Sequence, residues 1–302
     1  MSPAAFRRIA FLAGVLLAVI IVTGGAVRLT GSGLGCPDWP NCRPGALTPH
    51  GVSDGHAMVE FVNRVFTGAV SIAVIVCVLA ALIRVPRRRD LTWLSLGLVL
   101  GVVAQAVLGG LTVLFDLRPE FVMAHFLLSL VLVTDAVVLY RRAGDSGTNP
   151  RPIVAPVVRR AAWLLVVWAG VVVFAGTVVT STGPHGGDEE AQRFGFSVSS
   201  VARLHSVAVI LFLGLTLVSF ALIRRTGAPE PVQQRLGLVL VVTCLQAVIG
   251  YVQYFNDIPV LLVGFHIAGA TAFWIITLWY LLGTTERDPE RDPERDPEPA
   301  LT

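Results

Sequence analysis

Long apolar stretches separated by polar segments are the dominant pattern along this chain. Eight of them are long enough to cross the ~30 Å hydrocarbon core of a bilayer as helices. They lie at residues 9–27, 60–83, 93–114, 120–140, 161–181, 201–223, 236–256 and 259–282. The first exceeds the apolar region of a secretory signal peptide and is interpreted as a membrane helix. The pattern predicts an all-α integral membrane protein with eight transmembrane helices.

Composition and charge support this class. Of the 302 residues, 54% are hydrophobic and 14% are charged, which leaves too little polar surface for a soluble globule of this size. The basic residues are all arginine, a bias typical of a GC-rich bacterial genome, and they indicate no nucleic-acid partner. They cluster in alternate connections between the stretches. The positive-inside rule therefore predicts a multi-pass protein of the bacterial cell membrane with both termini in the cytoplasm.

The chain also contains an internal repeat. Residues 105–109 (Gln-Ala-Val-Leu-Gly) return as residues 246–250 (Gln-Ala-Val-Ile-Gly), and a histidine follows each glutamine after 20 residues. Because each repeat unit has an even number of helices, both units must have the same orientation in the membrane. The expected architecture is two parallel-oriented four-helix bundles.

This duplication divides the chain into three parts. Residues 1–145 are expected to form an N-terminal four-helix half, and residues 146–284 a C-terminal four-helix half. Residues 285–302 form a tail that repeats Glu-Arg-Asp-Pro. Such a charged, proline-broken segment cannot bury a core, so the tail is expected to be disordered.

Three histidines lie within the predicted helices: His125, His205 and His266. All three are expected roughly 6–10 Å below the outer end of their helices, which places them in one layer. A lone intramembrane histidine often makes only an interhelical hydrogen bond. Three at matched depth instead favour a functional site. His205 and His266, which belong to one four-helix unit, are suited to bind the iron of a buried haem from its two faces.

The N-terminal half has only part of this arrangement. Allowing for a small offset between the halves, the repeat puts Asn63 at the position that corresponds to His205, as the partner of His125. Asparagine is a poor ligand of haem iron, so a porphyrin bound there would keep one iron position open, which suits a substrate better than an electron carrier. Glu60 shares a helix face with Asn63 and is spaced to pair with Arg64. We expect Glu60 to be a catalytic or proton-handling carboxylate; the alternative is that it only stabilises the helix N-terminus.

Two cysteines lie in the first long external loop, at residues 28–59. Cys36 and Cys42 bracket the sequence Pro-Asp-Trp-Pro-Asn. Disulfides persist outside the membrane, so the pair is expected to form a disulfide or a redox-active thiol pair. Two free thiols are the alternative.

With these residues in view, the chain resembles the haem A synthase family. The first matching motif is Gly24-Gly-Ala-Val-Arg-Leu-Thr-Gly-Ser-Gly-Leu-Gly-Cys-Pro-Asp-Trp39, followed by Cys42. Residues 60–64 (Glu-Phe-Val-Asn-Arg) and the later helix histidines complete the match, which covers about residues 9–282. The family's usual Glu-x-x-His-Arg motif has a histidine where this chain has Asn63, which puts ligation of a substrate haem by two histidines in doubt.

The resemblance implies an enzyme that oxidises the C8 methyl of haem O to a formyl group, yielding haem A for terminal oxidases. It implies that His205 and His266 bind a haem b cofactor and that His125, with Asn63, places the substrate haem in the N-terminal half. Glu60 matches the family's important acid, and Cys36 and Cys42 match its loop disulfide. Arg28 and Arg64 are the candidates to pair with haem propionates. The expected partners are haem O, haem O synthase, an electron donor and the lipid bilayer, and a homo-oligomer is an open alternative.

Two other classes of protein compete with this interpretation. A non-enzymatic di-haem electron carrier of cytochrome b type would explain the layer of histidines, but it would need two complete ligand pairs, and Asn63 breaks one. A transporter built from parallel repeats would concentrate its polar groups near the bilayer midplane. The histidine layer is too close to the outer face for that class.

Overall fold

A computed structural model of the chain describes residues 1–51, 54–145 and 149–288. Eight long helices occupy these ranges: α1 (Pro3–Leu29), α2 (Gly55–Ile83), α3 (Arg89–Leu114), α4 (Pro119–Arg142), α5 (Pro156–Thr182), α6 (Val198–Thr226), α7 (Glu230–Phe255) and α8 (Val260–Leu282). All eight are long and apolar enough to cross a membrane. The all-α, eight-span class predicted from the hydrophobic pattern is confirmed.

Several helices extend beyond the apolar stretches that predicted them. Helices α1, α2, α5 and α7 begin five or six residues before the predicted spans, because capping residues rather than hydropathy set their first turns. The Ser2 hydroxyl accepts a hydrogen bond from the Ala5 amide, and the Asp54 carboxylate accepts one from the Ala57 amide. Both α5 and α7 have proline in the first turn, where its missing N–H costs nothing. These helices are therefore longer than the ~20 residues needed to cross the hydrocarbon core of a bilayer.

The helices contact one another in two rings. Each helix of α1–α4 packs against the next, and α1 closes on α4; α5–α8 form the same sequence of contacts, with α5 against α8. The rings meet through α1, α4, α5 and α8. One direct link is the Trp274 indole N–H, which donates to the Thr134 hydroxyl at 2.9 Å. The assignment of residues 1–145 and 146–284 to separate functional halves remains a prediction.

The internal repeat is visible in the backbone of the short turns. Asp116 and Leu117, between α3 and α4, have positive φ, and so do Asp257 and Ile258, between α7 and α8. Positive φ is uncommon for residues other than glycine. The two turns are 141 residues apart (257 minus 116), as are His125 and His266 (266 minus 125). Each turn therefore leads into a histidine-bearing helix in the same way.

The two ends of the helix assembly differ. At one end the loops 30–54 and 183–197 connect α1 to α2 and α5 to α6; we call this the long-loop end. At the opposite end the guanidinium of Arg88 pairs with the carboxylate of Asp145 at 3.1 Å. There the strands β1 (Arg151–Pro152) and β2 (Thr285–Glu286) form a short antiparallel pair.

The sequence predicted a disordered tail from residue 285, but residues 285 and 286 are part of this strand pair. The backbone of Thr285 and Glu286 pairs with the linker that precedes α5, and the Ile153 amide donates to the Thr284 carbonyl at 3.1 Å. Backbone pairing does not depend on apolar side chains, so a pattern of charged and proline residues did not reveal it. Residues 289–302, the rest of the predicted tail, lie outside the described residues.

Candidate functional site

The histidines of the C-terminal half form a close pair at the long-loop end. His205 lies on α6 and His266 on α8, and their ring centroids are 6.4 Å apart with the planes at 80°. Two metal–nitrogen bonds of roughly 2 Å, with roughly 1 Å from each nitrogen to its ring centre, need about 6 Å between centroids. This spacing is that of two imidazoles with one iron ion between them; ligation of haem iron by His205 and His266 stays a prediction.

The described residues contain no cluster of three or more His, Cys, Asp or Glu arranged to hold a bare metal ion. An iron between His205 and His266 would need its other ligands from elsewhere, and the four nitrogens of a porphyrin supply them. The donor set of this half thus fits a haem.

Each intramembrane histidine packs against a glycine of the preceding helix. An added Cβ would come 3.2 Å from Cε1 of His205 at Gly176, 3.3 Å from that of His266 at Gly250, and 3.1 Å from that of His125 at Gly109. An added Cβ would require each ring to shift by a few tenths of an ångström, so the glycines allow the imidazoles to pack closely on the preceding helix. Sequence reasoning found Gly109 and Gly250 as parts of the repeat without assigning them a role, and it missed Gly176. The sequence feature that could have identified all three glycines is their position in the helix before each histidine-bearing helix.

The N-terminal half holds His125 through its backbone as well as its ring. The Gln105 side-chain amide donates to the His125 carbonyl at 3.0 Å and to the Ser129 hydroxyl at 2.6 Å. These bonds join α3 to α4 at the level of the histidine. The side-chain oxygen of Asn63, on α2, is buried and has no hydrogen-bond partner among the described residues. A buried polar atom left in this way is costly, which is typical of a site that awaits a ligand or water.

Glu60 lies buried near the start of α2, where it holds the first long loop. One carboxylate oxygen accepts a hydrogen bond from the Cys36 amide at 2.8 Å, and the other accepts from Nε of Arg64 at 3.0 Å. A second guanidinium nitrogen of Arg64 donates to that same oxygen. Burial of the carboxylate is therefore balanced by an ion pair and by a backbone donor.

Arg64 extends this attachment to the loop backbone. Its guanidinium donates to the carbonyls of Cys36 at 2.8 Å, Asn41 at 2.9 Å and Pro40 at 3.2 Å. Together with Glu60 it binds the loop on both sides of the segment between the cysteines. Sequence reasoning predicted the pair of Glu60 and Arg64 but not its attachment to the loop. We call this group (Glu60, Arg64 and the backbone of Cys36, Pro40 and Asn41) the loop clamp.

Cys36 and Cys42 form a disulfide bond, and both residues are buried. This confirms the predicted pairing and excludes the alternative of two free thiols in this structure. Cys77 is a free buried thiol and Cys244 is a free thiol on the exposed side of α7. The disulfide closes the segment that the loop clamp holds.

Arg28 joins the two long loops at the end of α1. Its guanidinium donates to the carbonyls of His185 at 2.7 Å and Thr180 at 2.8 Å. The Gly33 amide donates to the Gly187 carbonyl at 2.7 Å, which is a second link between the loops. His185 in turn contacts the carbonyl of Ile258 at 2.7 Å. The loops of the two halves therefore form one layer over the long-loop end.

Comparison with known proteins places the chain in a family. The model of the cytochrome oxidase assembly protein family (COX15-CtaA) matches residues 7–184. Among similar proteins, the haem A synthase of Shewanella oneidensis is 31% identical over 152 residues, which are 45% of this chain and 44% of that protein. The haem A synthase of Exiguobacterium sibiricum is 29% identical over 168 residues, 55% of this chain and 56% of the relative. That of Listeria welshimeri is 32% identical over 41% of each chain. The matched part of this chain spans about half the length of these relatives.

Proposed function

The chain belongs to the cytochrome oxidase assembly protein family, and on that basis we propose that it is a haem A synthase. In this proposal it oxidises the C8 methyl of haem O to a formyl group and so yields haem A for terminal oxidases. The observation that carries the proposal is the contrast between the repeats. The C-terminal half has two histidines at the spacing of a six-coordinate iron, whereas the N-terminal half has His125 and, at the position corresponding to His205, Asn63. A permanently bound redox cofactor needs two strong iron ligands, whereas a substrate haem that enters and leaves needs only one.

His205 and His266 are the proposed ligands of the haem b cofactor. Bound there, a haem supplies one-electron redox chemistry beside the substrate. The chain's own contribution is geometric, because Gly176 and Gly250 set the positions of the two rings.

His125 and Asn63 are the proposed contacts of the substrate haem. Gln105 holds the backbone at His125, and Gly109 holds its ring, so the imidazole is positioned before the substrate enters. Arg28 and Arg64 place positive charge at the long-loop end, which suits the propionates of a haem, while their hydrogen bonds hold the loops in place. The reaction we propose is two successive hydroxylations of the methyl group, each of which consumes one dioxygen, two electrons from the proposed donor and two protons and releases one water; the resulting gem-diol loses water to give the formyl group.

Glu60 is the proposed proton-handling group. The Cys36 amide and two Arg64 nitrogens donate to its carboxylate, and the Gly35 amide also interacts with it. These groups hold the carboxylate at the long-loop end, where it would accept a proton from the substrate or from a water molecule. Glu60 would then serve both the chemistry and the loop clamp.

The membrane supplies the route for the substrate. Haem O carries a long isoprenoid tail, so we propose entry from lipid between helices, with the long-loop end outside a bacterial cell membrane and both termini in the cytoplasm. Haem O synthase and an electron donor are the proposed partners. A homo-oligomer remains open.

The proposal is tested by conversion of haem O in cells that make haem O but no haem A. The chain is expressed in such cells, and the haems are extracted and separated by chromatography. We expect haem A to appear, because the chain supplies the missing oxidation. Absence of haem A, with the protein inserted and loaded with haem B, would refute the proposal.

The glycine contacts lead to a separate prediction. Replacing Gly250 with alanine places a methyl group 3.3 Å from Cε1 of His266, so the imidazole must tilt or move. We expect a shifted low-spin haem signal by electron paramagnetic resonance, with the protein still inserted. Gly214 on α6 is the matched control, since nothing lies within 4 Å of an added Cβ there. The same signal in Gly250→Ala and the parent protein would show that Gly250 does not position the ligand.

A further inference from the structure

Trp39 lies in the middle of the segment that the disulfide closes. Its neighbours are held on both sides, since Arg64 donates to the carbonyls of Cys36, Pro40 and Asn41. The backbone of Trp39 is thereby fixed over the helices. Its indole is the largest side chain between the two cysteines, and it is partly buried.

The indole rests on Gly110 of α3. An added Cβ at Gly110 would come 2.6 Å from both Cδ2 and Cε2 of Trp39 and 2.9 Å from Cε3. Such distances are well inside van der Waals contact, so only glycine permits this approach. Gly110 is itself buried and shares a helix face with Val102 and Val113, which are buried as well. The indole therefore enters the long-loop end of the N-terminal half on the buried side of α3.

This contact lies next to the histidine of the N-terminal half. Gly109 touches the ring of His125, and Gly110 is the next residue of the same helical turn, about 100° further round. The indole of Trp39 and the imidazole of His125 thus lie on adjacent faces of one turn of α3. A flat porphyrin bound at His125 would be wider than one helical turn, roughly 5.4 Å, and would therefore reach the position of the indole.

Among the described residues of the C-terminal half, this arrangement has no counterpart. The residue that corresponds to Gly110 is Tyr251, 141 positions later, and its side chain is half-exposed. The second long loop, residues 183–197, contains no tryptophan. The contact of Trp39 with Gly110 is therefore confined to the half proposed for the exchangeable haem.

We propose that Trp39 is a positioning residue that forms the outer wall of the porphyrin site at His125. In this role the disulfide and the loop clamp serve to hold the indole against α3, beside the proposed porphyrin site. Removing the indole should weaken retention of this second haem while leaving the haem of the C-terminal half in place. The chemical identity of the second haem rests on the proposed function, but the place of Trp39 does not.

The test compares haem content across four variants expressed with a supply of haem O. Trp39→Ala removes the wall and Trp39→Phe keeps an aromatic ring. Gly110→Ala leaves Trp39 in the chain but displaces its indole. Trp93→Ala is the control, because Trp93 lies on the same helix with 72% of its side chain exposed. The haem held by His205 and His266 serves as the internal measure of folding.

The measured quantity is the ratio of the haem bound at His125 to the haem bound at His205 and His266. We expect this ratio to fall about 2- to 12-fold in Trp39→Ala and Gly110→Ala, which is the range that an aromatic contact contributes to binding. Trp39→Phe should lose less, and Trp93→Ala should match the parent protein. An unchanged ratio in Trp39→Ala, an equal loss of both haems, or a parent protein with no second haem would overturn the proposal. If the second haem proves to be haem B and still depends on Trp39, the wall is supported and haem A synthesis is contradicted.

Discussion

Replacing His205 or His266 with alanine is expected to abolish the low-spin b-type haem spectrum of the purified protein. The two imidazoles, with ring centroids 6.4 Å apart, are the proposed ligands on the two sides of the iron, so either substitution removes one of them. A missing ligand leaves the iron five-coordinate at best, and this changes the spin state and weakens the binding of the haem. The measurement is the optical spectrum of the reduced protein together with its haem content.

The control for this pair is His125→Ala. His125 packs on Gly109 in the same way as His266 packs on Gly250, so the two substitutions remove similar side chains from similar surroundings. We expect His125→Ala to keep the low-spin spectrum. An unchanged spectrum in both His205→Ala and His266→Ala would contradict the assignment of the cofactor to the C-terminal half.

Replacing Glu60 with glutamine is expected to lower the rate of haem A formation by roughly 10²–10⁴, the usual contribution of acid–base assistance. Glutamine keeps the shape of the side chain but cannot exchange a proton at this position. The b-type haem should remain, because Glu60 is on α2 and its hydrogen bonds are with Arg64 and the first long loop. The variant should accumulate haem O or a hydroxylated intermediate.

Arg64→Gln separates catalysis from the loop clamp. This substitution removes the bonds to Cys36, Pro40 and Asn41 but leaves the carboxylate of Glu60 in place. Arg64→Gln leaves the buried Glu60 carboxylate without its counter-charge, so we expect it to lower the rate as well and also to loosen the first long loop, which Glu60→Gln still holds through the Cys36 amide. Hydrogen exchange of the loop measures this difference. Equal loosening of the loop in the two variants would mean that Glu60 acts only by holding the loop.

The helices and the histidine layer could be predicted from the sequence because both depend on local patterns. A run of about 20 apolar residues has few alternatives to a membrane helix, and the repeat located His125 and His266 by spacing alone. Helix ends were less predictable, since Ser2 and Asp54 act through single hydrogen bonds outside the apolar runs. Hydropathy carries no information about such caps.

The contacts of the first long loop could not be predicted in the same way. Glu60 and Arg64 have the spacing of an ion pair, which the sequence shows, but their bonds to Cys36 join residues at least 24 positions apart through a loop without periodicity. The contact between Trp39 and Gly110 spans 71 positions (110 minus 39) and depends on the absence of a side chain. Packing of this kind follows from the assembled helices and has no local signal.

The most direct test of haem A synthesis is chromatography of haems extracted from cells that make haem O, lack their own haem A synthase and express this chain. The parallel control expresses His125→Ala, which should insert and keep its b-type haem. The account predicts haem A with the parent chain and haem O without haem A in the control. Haem B alone, at two per polypeptide in the purified parent and with no haem A in the cells, would contradict it and identify a di-haem electron carrier instead.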